Sequence, residues 1–125
     1  MHSEIEYFNN FVEFLIAKEV LNSSDIAEAL DFVGGVEGVT SEGYFIIGYQ
    51  GLARHINKQK TFSELRVFIE ENVEVLKQDG DARYFFAQSL IDTPALEQDE
   101  RKALIDLMPK SYQVYLIRRF FGVDV

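Results

Sequence analysis

Cysteine is absent from the 125-residue chain, and histidine occurs only at His2 and His55. Without thiols the chain has no disulfide, no thiolate metal site and no cysteine nucleophile. His55 also has no histidine or acid three or four residues away, so it lacks the helical partner of a metal-ligand pair. The fold must therefore depend on core packing, for which eleven phenylalanines and six tyrosines supply ample apolar material.

Long apolar runs are missing as well. No stretch approaches the roughly 18 consecutive apolar residues that a membrane span requires. The first eight residues, MHSEIEYF, carry acid where a secretory signal carries base. We therefore expect a cytoplasmic protein with no membrane partner.

Basic residues are almost absent from the first 50 positions. These positions hold nine acids and one base, Lys18, whereas residues 51–125 hold twelve acids and eleven bases. Most of the net charge of −9 therefore belongs to the first two fifths of the chain. Such a surface repels nucleic-acid phosphates and attracts cationic partners. Arg118 and Arg119 suit the dipole of the last helix and are too few for a basic stripe that would bind nucleic acid.

Apolar spacing and helix-start signals predict an all-α protein. The length fits one domain over residues 1–125, built as a compact irregular bundle of six or seven short helices with the first and last helices in the core. The apolar stripe of the first helix includes Tyr7 and Ile16, and Thr61-Phe62-Ser63-Glu64 reads as a capping box. The first predicted helix ends near Leu21. The helices after it are predicted over Asp25–Val33, Glu42–Asn57, Phe62–Gln78, Ala82–Ile91, a segment from Thr93 or Glu97 to just before Pro109, and Tyr112–Phe121. Ser111 is the predicted cap of the last helix.

Six of the eight glycines lie between Gly34 and Gly51. A phosphate-binding loop would add a basic residue to such glycines, but positions 21–53 contain no lysine or arginine. We interpret Gly34–Gly43 as a connection. The spacing of Phe45, Tyr49, Leu52 and Ile56 favours a helix after it, and the alternative is an α+β fold with a small hairpin over 43–51.

Motifs for catalysis are absent. The chain has no serine-nucleophile signature, and Asp79-Gly80-Asp81 lacks the remainder of a calcium-binding loop. We therefore predict a protein that is not an enzyme and uses no cofactor or metal.

The remaining feature is the acidic surface. If the first two helices pair as a hairpin, their acids and those of the following loop can form one patch that fits a cationic cleft. Tyr44 and Tyr49 would suit this patch as aromatic anchors, on the condition that they are exposed. The predicted partner-binding residues are Glu6, Glu13, Asp25, Glu28, Asp31, Glu37, Glu42, Tyr44, Tyr49, Glu70, Glu71 and Glu74.

In size, acidity, lack of cysteine, helical makeup and lack of catalytic residues, the whole chain resembles small bacterial immunity proteins. The closest in kind are those paired with toxic nucleases in contact-dependent inhibition or colicin systems. The resemblance implies an inhibitor that covers the basic cleft of a cognate protein toxin, as a monomer or weak homodimer. The alternative is a structural or assembly protein, such as a phage or secretion chaperone, that binds through an apolar groove.

Overall fold

A computed structural model describes residues 2–31, 45–76 and 81–122, and the regular structure within these ranges is helical, without strands. This confirms the predicted all-α class. The helix over 45–58 also rules out a hairpin in the described part of the 43–51 segment. The seven helices of the described ranges are α1 (His2–Ala17), α2 (Ser23–Ala29), α3 (Phe45–Lys58), α4 (Phe62–Leu76), α5 (Asp81–Ile91), α6 (Gln98–Asp106) and α7 (Lys110–Phe121).

The centre of the bundle is the pair α3 and α5, which make the most extensive helix contact in the described ranges. Helices α1 and α2 pack on α3, and α4, α6 and α7 pack on α5. Gly48 and Gly51 are buried in α3, where no side chain holds a neighbouring helix away. The first and last helices contribute to the core as predicted, through Phe8, Phe11 and Leu15 of α1 and Tyr112 and Leu116 of α7. The pair at the centre of the described ranges is nevertheless α3 and α5.

An aromatic cluster joins α1, α3 and α5. The ring of Tyr49 lies 5.1 Å from Phe8 and 5.3 Å from Phe11, and Phe11 meets Phe86 edge-on at 4.8 Å. Aromatic contacts at these distances add to the stabilisation from burial. Because Tyr49 is only 2% exposed, its predicted role as an exposed anchor is wrong. Apolar spacing along α3 explains the burial, since Tyr49 lies on the same face as Leu52 and Ile56.

Several helix ends differ from the sequence prediction. α1 stops at Ala17, and Glu19 takes a positive φ of 58°. α2 begins at Ser23 behind an Asn22 cap and ends at Ala29, so it is earlier and shorter than predicted. α7 begins at Lys110 directly after Pro109, which makes the predicted Ser111 cap wrong. Proline fixes its own φ and favours extended backbone before it, so it sets the start of α7 more strongly than a serine hydroxyl.

Two side chains from other helices close the carboxyl end of α5. The Asn57 amide of α3 donates to the carbonyls of Ser89 and Leu90, at 3.3 and 2.9 Å. Arg101 of α6 donates through Nε to the carbonyl of Ile91 at 3.4 Å, and through Nη2 to that of Thr93 at 2.7 Å. The last carbonyls of a helix have no partner within it, so these contacts satisfy them and fix α3 and α6 against α5.

Candidate partner-binding surface

The start of α4 is set by the predicted capping box. The Thr61 amide donates to Glu64 Oε1 at 2.9 Å, and the Glu64 amide donates to Thr61 Oγ1 at 3.3 Å. The hydrogen bond from the Thr61 backbone, followed by that from its side chain, lowers the pKa of Glu64 below its ordinary value. This reciprocal pair fixes where α4 begins and hence which residues face outward.

The outward side of α4 combines an exposed valine with carboxylates. Val67 is 52% exposed, and Glu70, Glu71 and Glu74 are exposed as well. Because residues three and four apart are neighbours on a helix, Glu70 and Glu71 lie one turn from Val67. We call Val67, Glu70, Glu71 and Glu74 the α4 acidic face.

Burial on the opposite side of α4 explains this orientation. Leu65, Phe68, Ile69 and Leu76 are buried, so they fix the rotation of the helix about its axis. At Asn72 the backbone leaves helical geometry, with φ −118° and ψ 15°. The Asn72 amide donates to the Phe68 carbonyl at 2.8 Å, and Glu74 follows beyond this bend.

Two groups of cations border the α4 acidic face. Arg66 Nε lies 3.3 Å from Glu70 Oε1, and both side chains are about half exposed. Such a surface pair holds its charges weakly and remains open to exchange with another partner. Val67 and Glu71 line a groove of about 770 Å³ between α4 and the α1–α2 turn, together with Lys18 and Lys60. Lys60 also lies over the Phe68 ring at 5.7 Å.

The acids of α2 lie among bases of α3. Asp25 Oδ1 is 3.5 Å from Nε2 of the half-buried His55. Asp25 Oδ2 accepts a hydrogen bond from the backbone N–H of Asn22 at 3.2 Å. Glu28 lines a cleft of about 250 Å³ with Arg54, His55 and Lys58. These neighbours reduce the negative potential that the sequence predicts for α2, and they engage Asp25 in the fold itself. Asp31 is exposed just beyond the helix.

The acids of α1 form a separate group. Glu6 and Glu13 are exposed and lie two turns apart, which places them on one side of α1. Tyr7 and Ile16, predicted to face the core, are 55% and 40% exposed. In the described ranges, α1 and α2 pack on α3 rather than extensively on each other. The condition for one continuous patch, an extensive pairing of α1 with α2, is therefore not met there.

Three predicted residues, Glu37, Glu42 and Tyr44, lie outside the described residues. Sequence reasoning also missed Val67, although its signal is present in the sequence. Val67 has glutamates three residues before it and three and four residues after it, so it occupies a polar stretch of the helical wheel. An isolated apolar residue in that position is a candidate contact residue.

The described residues offer little for other chemistry. None of their groups of histidine, aspartate and glutamate could hold a metal ion. No helix in these ranges has both the length and the apolar character needed to cross a membrane.

Comparison with known proteins gives no family assignment. No family model matches the chain, and neither the characterised proteins nor the solved structures include a significant match.

Proposed function

We propose that this protein is an inhibitor of the immunity type, which binds and blocks a basic toxin domain, most simply a nuclease. The α4 acidic face is the centre of its binding surface. The observation that supports this is the exposed Val67 with Glu70 and Glu71 one turn away. An apolar contact bordered by charge is the arrangement found at the centre and rim of specific interfaces.

The two kinds of residue have different tasks. Helix α4 contains four carboxylates and one guanidinium. These carboxylates attract a cationic cleft over a distance and thereby raise the association rate. Val67 loses its water at contact and slows dissociation. Glu6 and Glu13 of α1 and Asp31 beyond α2 add to the long-range attraction without touching the partner.

Blocking follows from charge as well. A nuclease cleft carries cations that hold phosphates, and carboxylates projecting from a helix occupy those cations in place of the substrate. The exposed Arg66–Glu70 ion pair can be broken at little cost, because surface ion pairs contribute little to the free energy of folding. Glu70 can therefore exchange Arg66 for a cation of the toxin at small cost.

The test uses the full chain as bait in a lysate of the organism that encodes it. The bound protein should be basic. It should be released when salt rises from about 0.1 to about 1 M, because the Debye length then falls from about 10 to about 3 Å. Addition of the chain in equimolar amount should suppress the toxic or nuclease activity of the captured protein.

Paired charge reversals locate the surface. Glu70→Lys with Glu71→Lys should weaken binding about tenfold or more at low salt, equivalent to about 1.4 kcal/mol per tenfold. The matched control, Glu6→Lys with Glu13→Lys, changes the net charge equally and should weaken binding far less. Equal losses would remove α4 from its proposed central place. Capture that persists at about 1 M salt would instead favour the assembly or chaperone alternative.

A further inference from the structure

Like α3, helix α7 carries basic side chains and no carboxylate in a protein that is acidic overall. Its twelve residues contain Lys110, Arg118 and Arg119 and no carboxylate, whereas the whole chain has a net charge of −9. Arg119 lies 5.6 Å from the centre of the Phe120 ring, and Arg101 of α6 lies 5.2 Å from the same ring. Arg101 is engaged within the fold, whereas Lys110, Arg118 and Arg119 are exposed on α7.

An apolar groove of about 470 Å³ runs between α7 and α5. Helix α7 contributes Ser111, Val114, Tyr115 and Arg118, which follow the spacing of one helical stripe, and α5 contributes Tyr84 and Phe85. Val114 in this groove is 38% exposed. The groove is thus an aromatic surface with an exposed aliphatic side chain on its α7 side.

The aromatic wall of the groove is held in place before any partner arrives. The Tyr84 ring lies 4.2 Å from Tyr112 and 5.5 Å from Tyr115. The Tyr115 hydroxyl donates to Gln88 Oε1 at 2.6 Å. Because these side chains are already ordered, binding costs little additional side-chain entropy.

Charge complementarity identifies the occupant. Lys110 and Arg118 are each four residues from Val114, so each cation lies one turn from the exposed apolar side chain. We propose that this groove binds an acidic amphipathic helical segment of another protein, with leucine- or phenylalanine-type side chains in the groove and carboxylates beside Lys110 and Arg118. This surface is separate from the α4 acidic face, and the proposal does not depend on the inhibitor function.

Two other occupants fit less well. A second copy of the chain would bring a second charge of −9, and like charges of that size oppose association. Single-stranded nucleic acid would need open aromatic faces for stacking. The half-buried rings of Tyr84 and Tyr115 already pack on each other, and Tyr84 also packs on Tyr112.

The test is fluorescence anisotropy with a labelled peptide of about 15 residues, long enough to form a helix on binding. The probe carries leucines at helical spacing among glutamates. Three further probes serve as comparisons: a scrambled peptide of the same composition, the same peptide with lysine in place of glutamate, and an oligothymidylate. The acidic amphipathic peptide should bind best.

Matched valine substitutions locate the site. Val114→Asp should weaken binding about tenfold or more, and Lys110→Glu should weaken it by a smaller factor. Val67→Asp places the same change on exposed α4 and should leave peptide binding unaltered. The thermal midpoints of the three variants show whether the fold is intact.

Several results would overturn the proposal. These are equal binding of the scrambled or lysine peptide, tighter binding of the oligothymidylate, and equal losses in Val114→Asp and Val67→Asp. A further contradicting result would come from analytical sedimentation of the protein alone. If the wild type sediments as a dimer and Val114→Asp as a monomer, the groove binds a second copy of the chain.

Discussion

The side-chain amide of Asn57 donates to the carbonyl of Leu90 at 2.9 Å, from one central helix to the end of the other. The same amide reaches the carbonyl of Ser89 at 3.3 Å, and Asn57 is buried. A single polar side chain of α3 thus satisfies two of the last carbonyls of α5. This contact fixes the position of α5 along α3 at the centre of the bundle.

Replacement of Asn57 should therefore be costly. Asn57→Ala leaves two buried carbonyls without a donor, and each unsatisfied group costs about 1–3 kcal/mol. We expect the free energy of unfolding in urea to fall by about 2–6 kcal/mol. Asn57→Leu keeps the volume but not the hydrogen bonds, so a similar loss is expected.

The control for Asn57 is Asn10→Ala on the exposed side of α1, which should change stability by less than about 0.5 kcal/mol. A Leu variant as stable as the wild type would show that side-chain volume, not the amide, matters at position 57.

Arg101 is the second side chain that closes α5. Arg101→Ala removes the donors to Ile91 and Thr93 and the packing on Phe120. We expect a loss of about 1.5–3 kcal/mol in the free energy of unfolding, as for hydrogen bonds from a charged group. Arg101→Lys should recover only part of it, since an ammonium lacks the planar fork that reaches two carbonyls.

The comparison for Arg101 is Arg66→Ala. Its exposed pair with Glu70 should be worth less than about 1 kcal/mol. Full recovery by Arg101→Lys would mean that charge alone, without the guanidinium geometry, stabilises the end of α5.

Two tyrosines test the assignment of core and surface. Tyr49→Ala should lower the free energy of unfolding by about 3–5 kcal/mol, the usual range for a buried aromatic side chain. Tyr7→Ala removes the same atoms from a position that is 55% exposed and should cost less than about 1 kcal/mol. Similar losses at the two positions, measured in urea, would contradict the core described here.

The features that the sequence predicted correctly are local ones. The Thr61–Glu64 capping box needs only a hydroxyl and a carboxylate three residues apart, and it starts α4 as predicted. Helical spacing from Phe45 to Ile56 likewise predicted α3 despite its glycines. These signals are complete within one or two turns of chain, so no distant neighbour is needed to interpret them.

Apart from the helix ends and the Ser111 cap, the errors concern which surfaces meet. α1 and α7 are rich in apolar residues and both reach the core, yet Tyr7, Ile16 and Val114 are exposed. Apolar content shows that a helix can be buried, but its neighbours decide which side is covered. The pairing of Asp25 with His55 depends on the contact between α2 and α3, which no spacing along the chain reveals.

The cap at Glu64 gives the protein a specific dependence on pH. The hydrogen bonds from Thr61 lower the pKa of Glu64 below the ordinary value of 4.5. A group whose pKa is depressed in the folded state stabilises the fold fully above its unfolded pKa and loses that contribution as pH falls through the lowered folded value. The difference in unfolding free energy between the wild type and Glu64→Gln should therefore be constant at neutral pH and shrink as pH falls below about 4.5.

Glutamine at position 64 can still accept a hydrogen bond, so this difference isolates the charge. The carboxyl pKa can also be measured directly by NMR titration. In Thr61→Ala the side-chain hydrogen bond is lost and the backbone amide remains, so the pKa of Glu64 should rise only part of the way to its ordinary value. If the pKa of Glu64 returns fully to its ordinary value in Thr61→Ala, the whole effect comes from the Thr61 hydroxyl. If the difference in unfolding free energy between the wild type and Glu64→Gln does not change with pH, the carboxylate charge does not stabilise the start of α4.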